Sequence, residues 1–221
     1  MLSSEKNKKN NAYIQKVEDH PKIINQEVNA FEMHWKWSEL FWNDNDIVLE
    51  IWTWLGSFFA SQIKEYPNKN FIWKDIRFKR IYNTVIKAEE TWLDNFMLVK
   101  TKGENIDKVF NDGELSLTYV FFPDPWAKKK SQIDNRLFSK KFIIDLYNKT
   151  KVWWKLIFKT DHLEYFNTTI NLFKEIWLWK INIESRDYEN EVENFDKQNM
   201  TEFEHIFREY KMKINYVEFE K

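Results

Sequence analysis

The segment of this sequence with the most chemical character is a short run around Asp124. Residues 121–130 read Phe-Phe-Pro-Asp-Pro-Trp-Ala-Lys-Lys-Lys, so an acid stands between two prolines and a basic run follows it. Because proline fixes φ, the prolines hold the loop rigid, and Asp124 presents a hydrogen-bond acceptor in a set position. Basic side chains beside such a loop suit the phosphates of RNA, although a solvated face is an alternative for the run taken alone. The basic residues that cluster here are Lys128, Lys129, Lys130, Arg136, Lys140 and Lys141, and a second, smaller group is Arg77, Lys79 and Arg80.

A second candidate site follows a short apolar run that begins at residue 46. Residues 49–56 read Leu-Glu-Ile-Trp-Thr-Trp-Leu-Gly, with the acid Glu50 on the run and two tryptophans directly after it. A bulky, β-favouring side chain is a poor choice for a turn between a strand and a helix. Trp52 and Trp54 are therefore unexpected at this place.

The same anomaly appears in the whole composition. The chain of 221 residues has 12 Trp and only 3 Gly, whereas the usual glycine share of about 7% predicts roughly 15. Several tryptophans stand after a predicted helix or in a turn, where glycine is expected: Trp92, Trp153, Trp154 and Trp177. We interpret most of the tryptophans as glycine, because some bacterial lineages translate the codon UGA as glycine while another code table writes it as tryptophan. If ten or eleven of the 12 are glycine, the glycine count becomes 13 or 14. The alternative is a tryptophan-rich protein whose indoles stack on nucleobases.

With glycine at positions 52 and 54, residues 49–56 become L-E-I-G-T-G-L-G and end on Gly56. A Gly-x-Gly-x-Gly turn lets the backbone approach a ligand closely beside the N-terminus of the next helix. The dinucleotide fingerprint would need glycine at Ser57, so a nicotinamide cofactor is less favoured. The spacing resembles the S-adenosylmethionine loop of Rossmann-like methyltransferases. Asp75, after the next strand, is placed to hold ribose hydroxyls, or alternatively caps a surface turn.

Alternating apolar runs and helical periods indicate the elements that would position these residues. We predict strands over 46–51, 70–73, 95–99, 115–122, 155–159, 181–185 and 214–219, and helices over 57–66, 78–91, 140–149 and 163–176. This alternation is typical of an α/β fold with a mainly parallel, seven-stranded sheet and helices on both faces. Ligands of such sheets bind at the carboxyl ends of the strands. We predict a flexible polar arm over residues 1–25 and a single domain over residues 26–221.

Four motifs in the same order resemble the bacterial tRNA (guanine-N7)-methyltransferase family. Residues 121–130 are similar to its signature N-F-P-D-P-W-P-K-K-R-H, and Phe158-Lys159-Thr160-Asp161 to its F-K-T-D. Thr201-Glu202-Phe203-Glu204 resembles T-E-Y-E, and Phe41-Trp42-Asn43-Asp44 resembles F-G-N-x. The resemblance runs from about residue 33 to the end, and it implies a Rossmann-like class I methyltransferase.

The resemblance implies roles for individual residues. The cofactor S-adenosylmethionine would be bound by Glu50, Trp52, Trp54, Gly56, Asp75 and Asp124. Asp124 would also be the catalytic residue, next to cofactor and base. The tRNA or its target guanine, at position 46 of the variable loop, would contact Lys128, Asp161, Thr201, Glu202, Phe203 and Glu204. The family pattern favours glycine at positions 52, 54, 73, 153 and 154, and a true tryptophan at Trp126; Trp37 stays open.

The chain departs from the family pattern at a few places. Lys102, with Glu104 nearby, stands where an adenine-contacting Asp is usual. Phe121 replaces the Asn before F-P-D, and Ser131 replaces the His that closes the basic run. These changes affect contacts to the substrate more than the assignment to the family.

Composition excludes several other classes. A net charge of −1 means that RNA binding must rely on local basic patches, and the absence of cysteine excludes disulfides and thiolate metal sites. Four histidines without ligand spacing predict no metal, and no apolar run predicts a membrane segment, so we expect a cytoplasmic enzyme, monomeric or homodimeric. Two alternatives remain: a methyltransferase with another RNA or small-molecule acceptor, and a non-catalytic RNA-binding protein if the tryptophans are real.

Overall fold

The apolar runs of the sequence come together in one twisted sheet. The computed structural model describes residues 12–34, 36–52, 55–193 and 200–221. The strands of this part of the chain are β1 (Ile23–Ile24), β2 (Ile47–Ile51), β3 (Asn70–Asp75), β4 (Phe96–Lys100), β5 (Leu115–Phe121), β6 (Thr150–Thr160), β7 (Lys180–Ser185) and β8 (Asn215–Glu220). Their order is β1-β4-β3-β2-β5-β6-β8-β7. Strands β1 to β6 pair in parallel, and β8 is antiparallel to both β6 and β7.

The predicted α/β class with a mainly parallel sheet is confirmed, and each predicted strand has its counterpart in β2 to β8. The sheet has eight strands rather than seven, because Ile23 and Ile24 pair with Leu98 and Val99 of β4. A two-residue strand is too short to show a period of two in the sequence.

The predicted flexible arm is wrong for residues 13–25. This stretch forms the helix α1 (Tyr13–Glu18) and then β1. The physical reason is burial: Val17 and Ile23 lie in the core, and removing their apolar surface from water stabilises an ordered path. Residues 1–11 of the predicted arm lie outside the described residues.

Helices cover both faces of the sheet. They are α2 (Glu27–Phe31), α3 (Trp37–Phe41), α4 (Ser57–Glu65), α5 (Phe78–Glu89), α6 (Ile106–Val109), α7 (Lys140–Lys149), α8 (Leu163–Ile176), α9 (Tyr188–Glu191) and α10 (Glu202–Glu209), with a 3₁₀ helix at Lys130–Asn135. Because neighbouring strand residues point to opposite faces, two separate cores form. One core contains Val48, Phe71 and Leu98 with Phe59 of α4 and Val85 of α5. The other contains Leu49, Ile72 and Val99 with Phe142 of α7 and Phe166 of α8.

The tryptophans divide into two groups by backbone conformation. Eight described residues other than glycine have positive φ, and six of these are tryptophan: Trp42, Trp52, Trp92, Trp126, Trp153 and Trp177, with φ between 46° and 69°. Four of their side chains are almost fully in solvent, with exposures of 94% at Trp42, 93% at Trp92, 77% at Trp153 and 88% at Trp177. A residue with a Cβ is disfavoured in this region by roughly 1–2 kcal/mol, and these side chains gain little burial to offset it.

A second group of tryptophans is packed like ordinary core residues. The indole N–H of Trp37 donates to the carbonyl oxygen of Val109 at 3.1 Å, and that of Trp179 donates to Ile143 at 3.3 Å. Both are buried, and Trp73 is buried in β3. The glycine interpretation therefore fits Trp179 and Trp73 less well than the sequence predicts, since neither has positive φ. Trp37, left open by the sequence, has the environment of a true tryptophan.

Candidate active site

A pocket of about 520 Å³ lies where β2, β3, β4 and β5 end. The chain passes from β2 outward to β4 and then returns to β5 on the other side of β2, so this is the point at which strand order reverses. Open α/β sheets bind ligands at this place, and the volume lies within the usual range of small-molecule sites. Residues from separate elements form its walls, among them Trp52, Asp75, Lys102, Asp124, Arg136 and Phe203.

Asp75 ends β3 and is almost completely buried. Its Oδ1 accepts hydrogen bonds from the backbone N–H groups of Ile76 at 2.6 Å and Arg77 at 2.8 Å, and Arg80 Nη1 donates to Oδ2 at 3.4 Å. Burial raises the pKa of Asp75, while the N–H of Arg77 and the charge of Arg80 oppose that shift. The backbone thus holds one carboxylate oxygen, and the residue lines the pocket as the sequence predicts.

The loop after β2 is only partly within the described residues. Glu50 is buried on β2, and Gly56 lies before α4 with a φ of 81°. A Cβ on Gly56 would lie 2.8 Å from Cα of Thr84 on α5, so only glycine lets these two helices approach as they do. Trp54, predicted to bind the cofactor, lies outside the described residues.

Trp52 is the unusual member of the pocket wall. Its backbone is left-handed, with a φ of 62°, and its N–H donates to the carbonyl of Lys74 at 3.1 Å. Its indole reaches across the strand ends, so that Cζ2 lies 3.3 Å from where a Cβ on Gly103 would stand. The side chain therefore occupies the side of the pocket between the ends of β2 and β4.

Asp124 faces the same pocket from the end of β5. Its carboxylate is half-exposed, and its Oδ2 lies 3.7 Å from Nη2 of Arg77, which follows Asp75. The loop is held from behind by Arg136, whose Nε donates to the carbonyl of Pro125 at 2.7 Å. The structure thus brings the two predicted acids, Asp75 and Asp124, into the lining of one pocket.

Arg136 is not the RNA contact that the sequence predicts. Its side chain is buried, its Nη1 and Nη2 donate to the carboxylate of Glu164 at 3.1 and 2.5 Å, and it lies 4.7 Å from the ring centre of Tyr165. The hydrogen bonds from Arg136 lower the pKa of Glu164. A guanidinium held in this way is not available to a phosphate.

Of the other basic residues in the predicted cluster, some are paired with acids and some are exposed. Lys140 pairs with Glu175, and Lys141 with Asp107 at 3.0 Å, so acidic neighbours already offset these charges. Lys128 and Lys129 are exposed beside the pocket. Their role in binding the acceptor stays a prediction, as does that of Asp161, which lies directly after β6.

The segment 201–204 has a different place from the one predicted. Thr201 and Glu204 are buried and form a capping box at the start of α10, and Glu204 Oε1 accepts from Lys159 Nζ at 2.7 Å. Both were predicted to contact the substrate; instead Thr201 caps α10, and Glu204 joins α10 to β6, because a buried lysine requires an opposite charge. Phe203 does line the pocket, with its ring 5.5 Å from that of Phe122.

Glu202 connects the same segment to the loop after β2. Its Oε1 accepts from the backbone N–H of Ser57 at 2.9 Å and from Lys87 Nζ at 3.3 Å. Although burial acts to raise the pKa of Glu202, the hydrogen bonds from Ser57 hold it below its usual value. An acid at the first turn of α4 is favoured by the helix dipole.

The sequence places Arg77 and Arg136 in basic groups but gives no sign of their partners, Asp124 and Glu164, which are distant in the chain. Sequence reasoning missed Lys74, which is fully buried beside Asp75, with its Nζ 3.5 Å from the carbonyl of Gly103. Burial lowers the pKa of Lys74 to about 7, and the charges of Glu104, Asp107 and Glu27 oppose the shift. A lysine in the middle of an apolar strand was the available signal.

In the part of the chain that the structure describes, no group of three or more histidine, cysteine, aspartate and glutamate side chains could hold a metal ion. Among the helices of the same residues, none combines the length and apolarity needed to cross a membrane.

Comparison with known proteins gave consistent relatives. A family profile described as "Putative methyltransferase" matches residues 44–216. A tRNA (guanine-N(7)-)-methyltransferase of Streptococcus pneumoniae is 30% identical over 187 residues, which is 81% of this chain and 83% of that protein. A bifunctional glycosyltransferase/methyltransferase of Fusobacterium nucleatum is 32% identical over 96% of this chain, but the chain spans only 33% of its length.

The solved structures share the fold at low sequence identity. A SAM-dependent methyltransferase from Aquifex aeolicus superposes with a TM-score of 0.52 and 11% identity, covering 98% of this chain and 96% of that one. At this identity the likeness shows a common fold.

Proposed function

The chain belongs to this methyltransferase family, and we propose that it transfers a methyl group from S-adenosylmethionine to N7 of a guanine in tRNA. The observation that carries the proposal is that Asp75 and Asp124 line one pocket at the point where strand order reverses. The relatives that the chain matches over most of their length bear the name of this activity.

The part of the pocket lining around Asp75, called here the Asp75 wall, fits the cofactor at all but one residue. Asp75 has one oxygen held by backbone N–H groups, so its carboxylate has a set position in which to accept hydrogen bonds from ribose hydroxyls. The Ile76 side chain is half-exposed on the pocket wall, where an adenine ring could pack against it. When bound, S-adenosylmethionine supplies a methyl group activated by its sulfonium charge. One residue does not fit: the indole of Trp52 lies on the same side of the pocket.

The part of the pocket lining around Asp124, called here the Asp124 wall, fits a guanine base. The Asp124 carboxylate is an acceptor, and guanine offers two donors on one edge, N1–H and the exocyclic amine. N7 lies on the other edge with a lone pair in the ring plane, so it attacks without losing a proton. No general base is required, and Asp124 acts by orienting the base, which is a positioning effect. Phe203 and Phe122 offer aromatic surface for an unstacked base, which favours a base in an RNA loop.

The finer parts of the proposal follow the family resemblance. We propose guanine 46 of the variable loop as the target, with Lys128 and Asp161 as tRNA contacts. We also propose a cytoplasmic enzyme that works as a monomer or homodimer. Mapping 7-methylguanosine along tRNA treated with the enzyme tests the position of the target.

The proposal is tested by removing the acceptor at Asp124 in a chain that also carries Trp52→Gly and Trp54→Gly, because the indole of Trp52 does not fit the cofactor. We expect Asp124→Ala and Asp124→Asn to lower formation of 7-methylguanosine in tRNA by at least ~100-fold, the loss typical of a misplaced reacting group. Binding of S-adenosylmethionine, measured by calorimetry, should fall much less, because Asp75 and not Asp124 is proposed to hold the ribose. Asp94→Asn is a matched control, because the Asp94 side chain is 98% exposed and pairs only with Lys22 among the contacts described. Full activity of Asp124→Ala would contradict the proposal.

A further inference from the structure

The five left-handed tryptophans at positions 42, 52, 92, 153 and 177 share a conformation that their side chains do not explain. Four of them hold an indole in solvent: Trp42, Trp92 and Trp177 at a helix end or turn, and Trp153 within β6 rather than in the turn that the sequence predicts. Left-handed backbone at such places is the habit of glycine. Trp42 follows α3 and Trp177 follows α8, both as left-handed C-caps.

Trp37 and Trp179 show what a true tryptophan looks like in this chain. Each is buried, each donates its indole N–H to a carbonyl, and neither has positive φ. Trp126 has positive φ, but it is partly buried in the lining of the pocket. The resemblance of residues 121–130 to the family signature implies a true tryptophan there. Tryptophan therefore occupies two structurally different kinds of position in this chain.

We propose that the protein made in its own cell carries glycine at positions 42, 52, 92, 153 and 177 and tryptophan at 37, 126 and 179. Position 52 has a functional consequence that rests on the proposed function. Glycine there removes the indole from the Asp75 wall and leaves room for the cofactor beside β3 and β4. Residue 52 thus decides whether the pocket accepts S-adenosylmethionine.

The residue identities can be measured directly. Peptides of the protein purified from its source cells should show the mass of glycine at the five positions and of tryptophan at the other three. The gene should have UGA at the former and UGG at the latter. Tryptophan mass at the five positions would overturn the proposal, whatever the enzyme does.

Stability gives a second test that does not depend on activity. Changing Trp92→Gly in the chain as written should raise Tm by ~2–8 °C, and Trp92→Ala, which keeps a Cβ, should raise it less or not at all. The same order should hold at positions 42, 153 and 177. Trp37→Gly is the matched control and should lower Tm strongly, because it leaves a cavity. An alanine variant as stable as the glycine variant at all four positions would count against the proposal.

Cofactor binding tests position 52 itself. We compare calorimetric titration of Trp54→Gly alone with that of the double variant Trp52→Gly/Trp54→Gly, using S-adenosylmethionine as the probe. The double variant should bind at least ~10-fold more tightly, and equal affinities would overturn the role of residue 52. If peptide masses show glycine but neither variant binds, the glycine assignment stands and the proposed function fails.

A different observation carries a second inference, on Arg136. Its three donors link the carbonyl of Pro125 to the carboxylate of Glu164, and its guanidinium stacks on Tyr165. We infer that Arg136 is a positioning residue that holds the Asp124 loop against α8. Lysine cannot replace it, since an ammonium lacks the planar fork that reaches both acceptors.

The test uses the glycine-restored chain and rests on the proposed function for its kinetic part. Arg136→Lys should lower kcat ~10–100-fold while KM for S-adenosylmethionine stays within about two-fold, because Asp124 moves and the Asp75 wall does not. Asp94→Asn, at an exposed position outside the pocket lining, is the control. Amide exchange at residues 126–129 should also quicken in Arg136→Lys, even if the chain has no activity. Unchanged exchange and unchanged kcat would each overturn the inference.

Discussion

Asp75 and Asp124 face one pocket, and the structure holds them by different means. Asp75 is buried, and its position is set by the two N–H groups that directly follow it in the chain. Asp124 is half-exposed, and its loop is held by Arg136, which bonds the carbonyl of Pro125 from 11 residues further along the chain. The position of Asp75 is thus set by adjacent backbone, whereas that of Asp124 depends on the side chains of Arg136 and Glu164, which come from later elements.

The largest effect on the free energy of unfolding should come from the buried ion pair between Lys159 and Glu204. Lys159→Met would leave Glu204 buried without its partner, and we expect a loss of ~3–5 kcal/mol in the free energy of unfolding. The double variant Lys159→Met/Glu204→Leu should recover most of it. Urea denaturation measures both, and a single variant that costs under about 1 kcal/mol would show that the pair contributes little.

Beside Asp75 on β3, the buried Lys74 should make the stability of the protein depend on pH in a distinctive way. Burial lowers its folded pKa to about 7 from 10.5, so the unfolded chain binds this proton more tightly. Stability must then rise with pH between those two values, as the unfolded chain loses its advantage. Lys74→Met should therefore stabilise the protein by about 3–4 kcal/mol at pH 7.5 and by much less at pH 10. A constant difference across this range would contradict the lowered pKa.

Two substitutions of Asp75 distinguish the effect of its carboxylate charge on stability from the effect of its hydrogen bonds to the backbone. Asp75→Asn keeps an oxygen acceptor for the N–H groups of Ile76 and Arg77, so we expect the free energy of unfolding at pH 7 to stay within ~1 kcal/mol. Asp75→Ala orphans both N–H groups and should cost ~1–3 kcal/mol. Because the folded pKa of Asp75 is raised, native Asp75 should lose stability as pH rises through its titration, and the Asn variant should not.

The smallest effect on stability should come from the ion pair between Arg77 and Asp124. Arg77 and Asp124 are both half-exposed and 3.7 Å apart, so Arg77→Gln should change stability by under ~0.5 kcal/mol. Its effect on tRNA binding should be greater at low salt than at high salt, as expected for a phosphate contact. Filter binding over a salt series measures this, and a loss independent of salt would assign Arg77 another role.

Local patterns were sufficient to predict much of this molecule. The βα alternation predicted β2 to β8, and the acids after β3 and β5 were placed at the pocket because parallel strands end at one edge. Thr201 and Glu204 were misplaced because the motif carries no sign of Lys159, which comes 45 residues earlier than Glu204. Arg136 was misplaced for the same reason, since charge in a basic run gives no information on burial.

The order of the last strands has a consequence for how the chain is made. Strand β8 lies between β6 and β7, so the sheet beyond β6 cannot be completed until residue 220 has been synthesised. A ribosome that stopped at any of positions 42, 52, 92, 153 or 177 would release a chain without β7 and β8. Even the longest such fragment would leave β6 as an unpaired edge, which favours aggregation or degradation. Termination at these codons would yield no partly working enzyme.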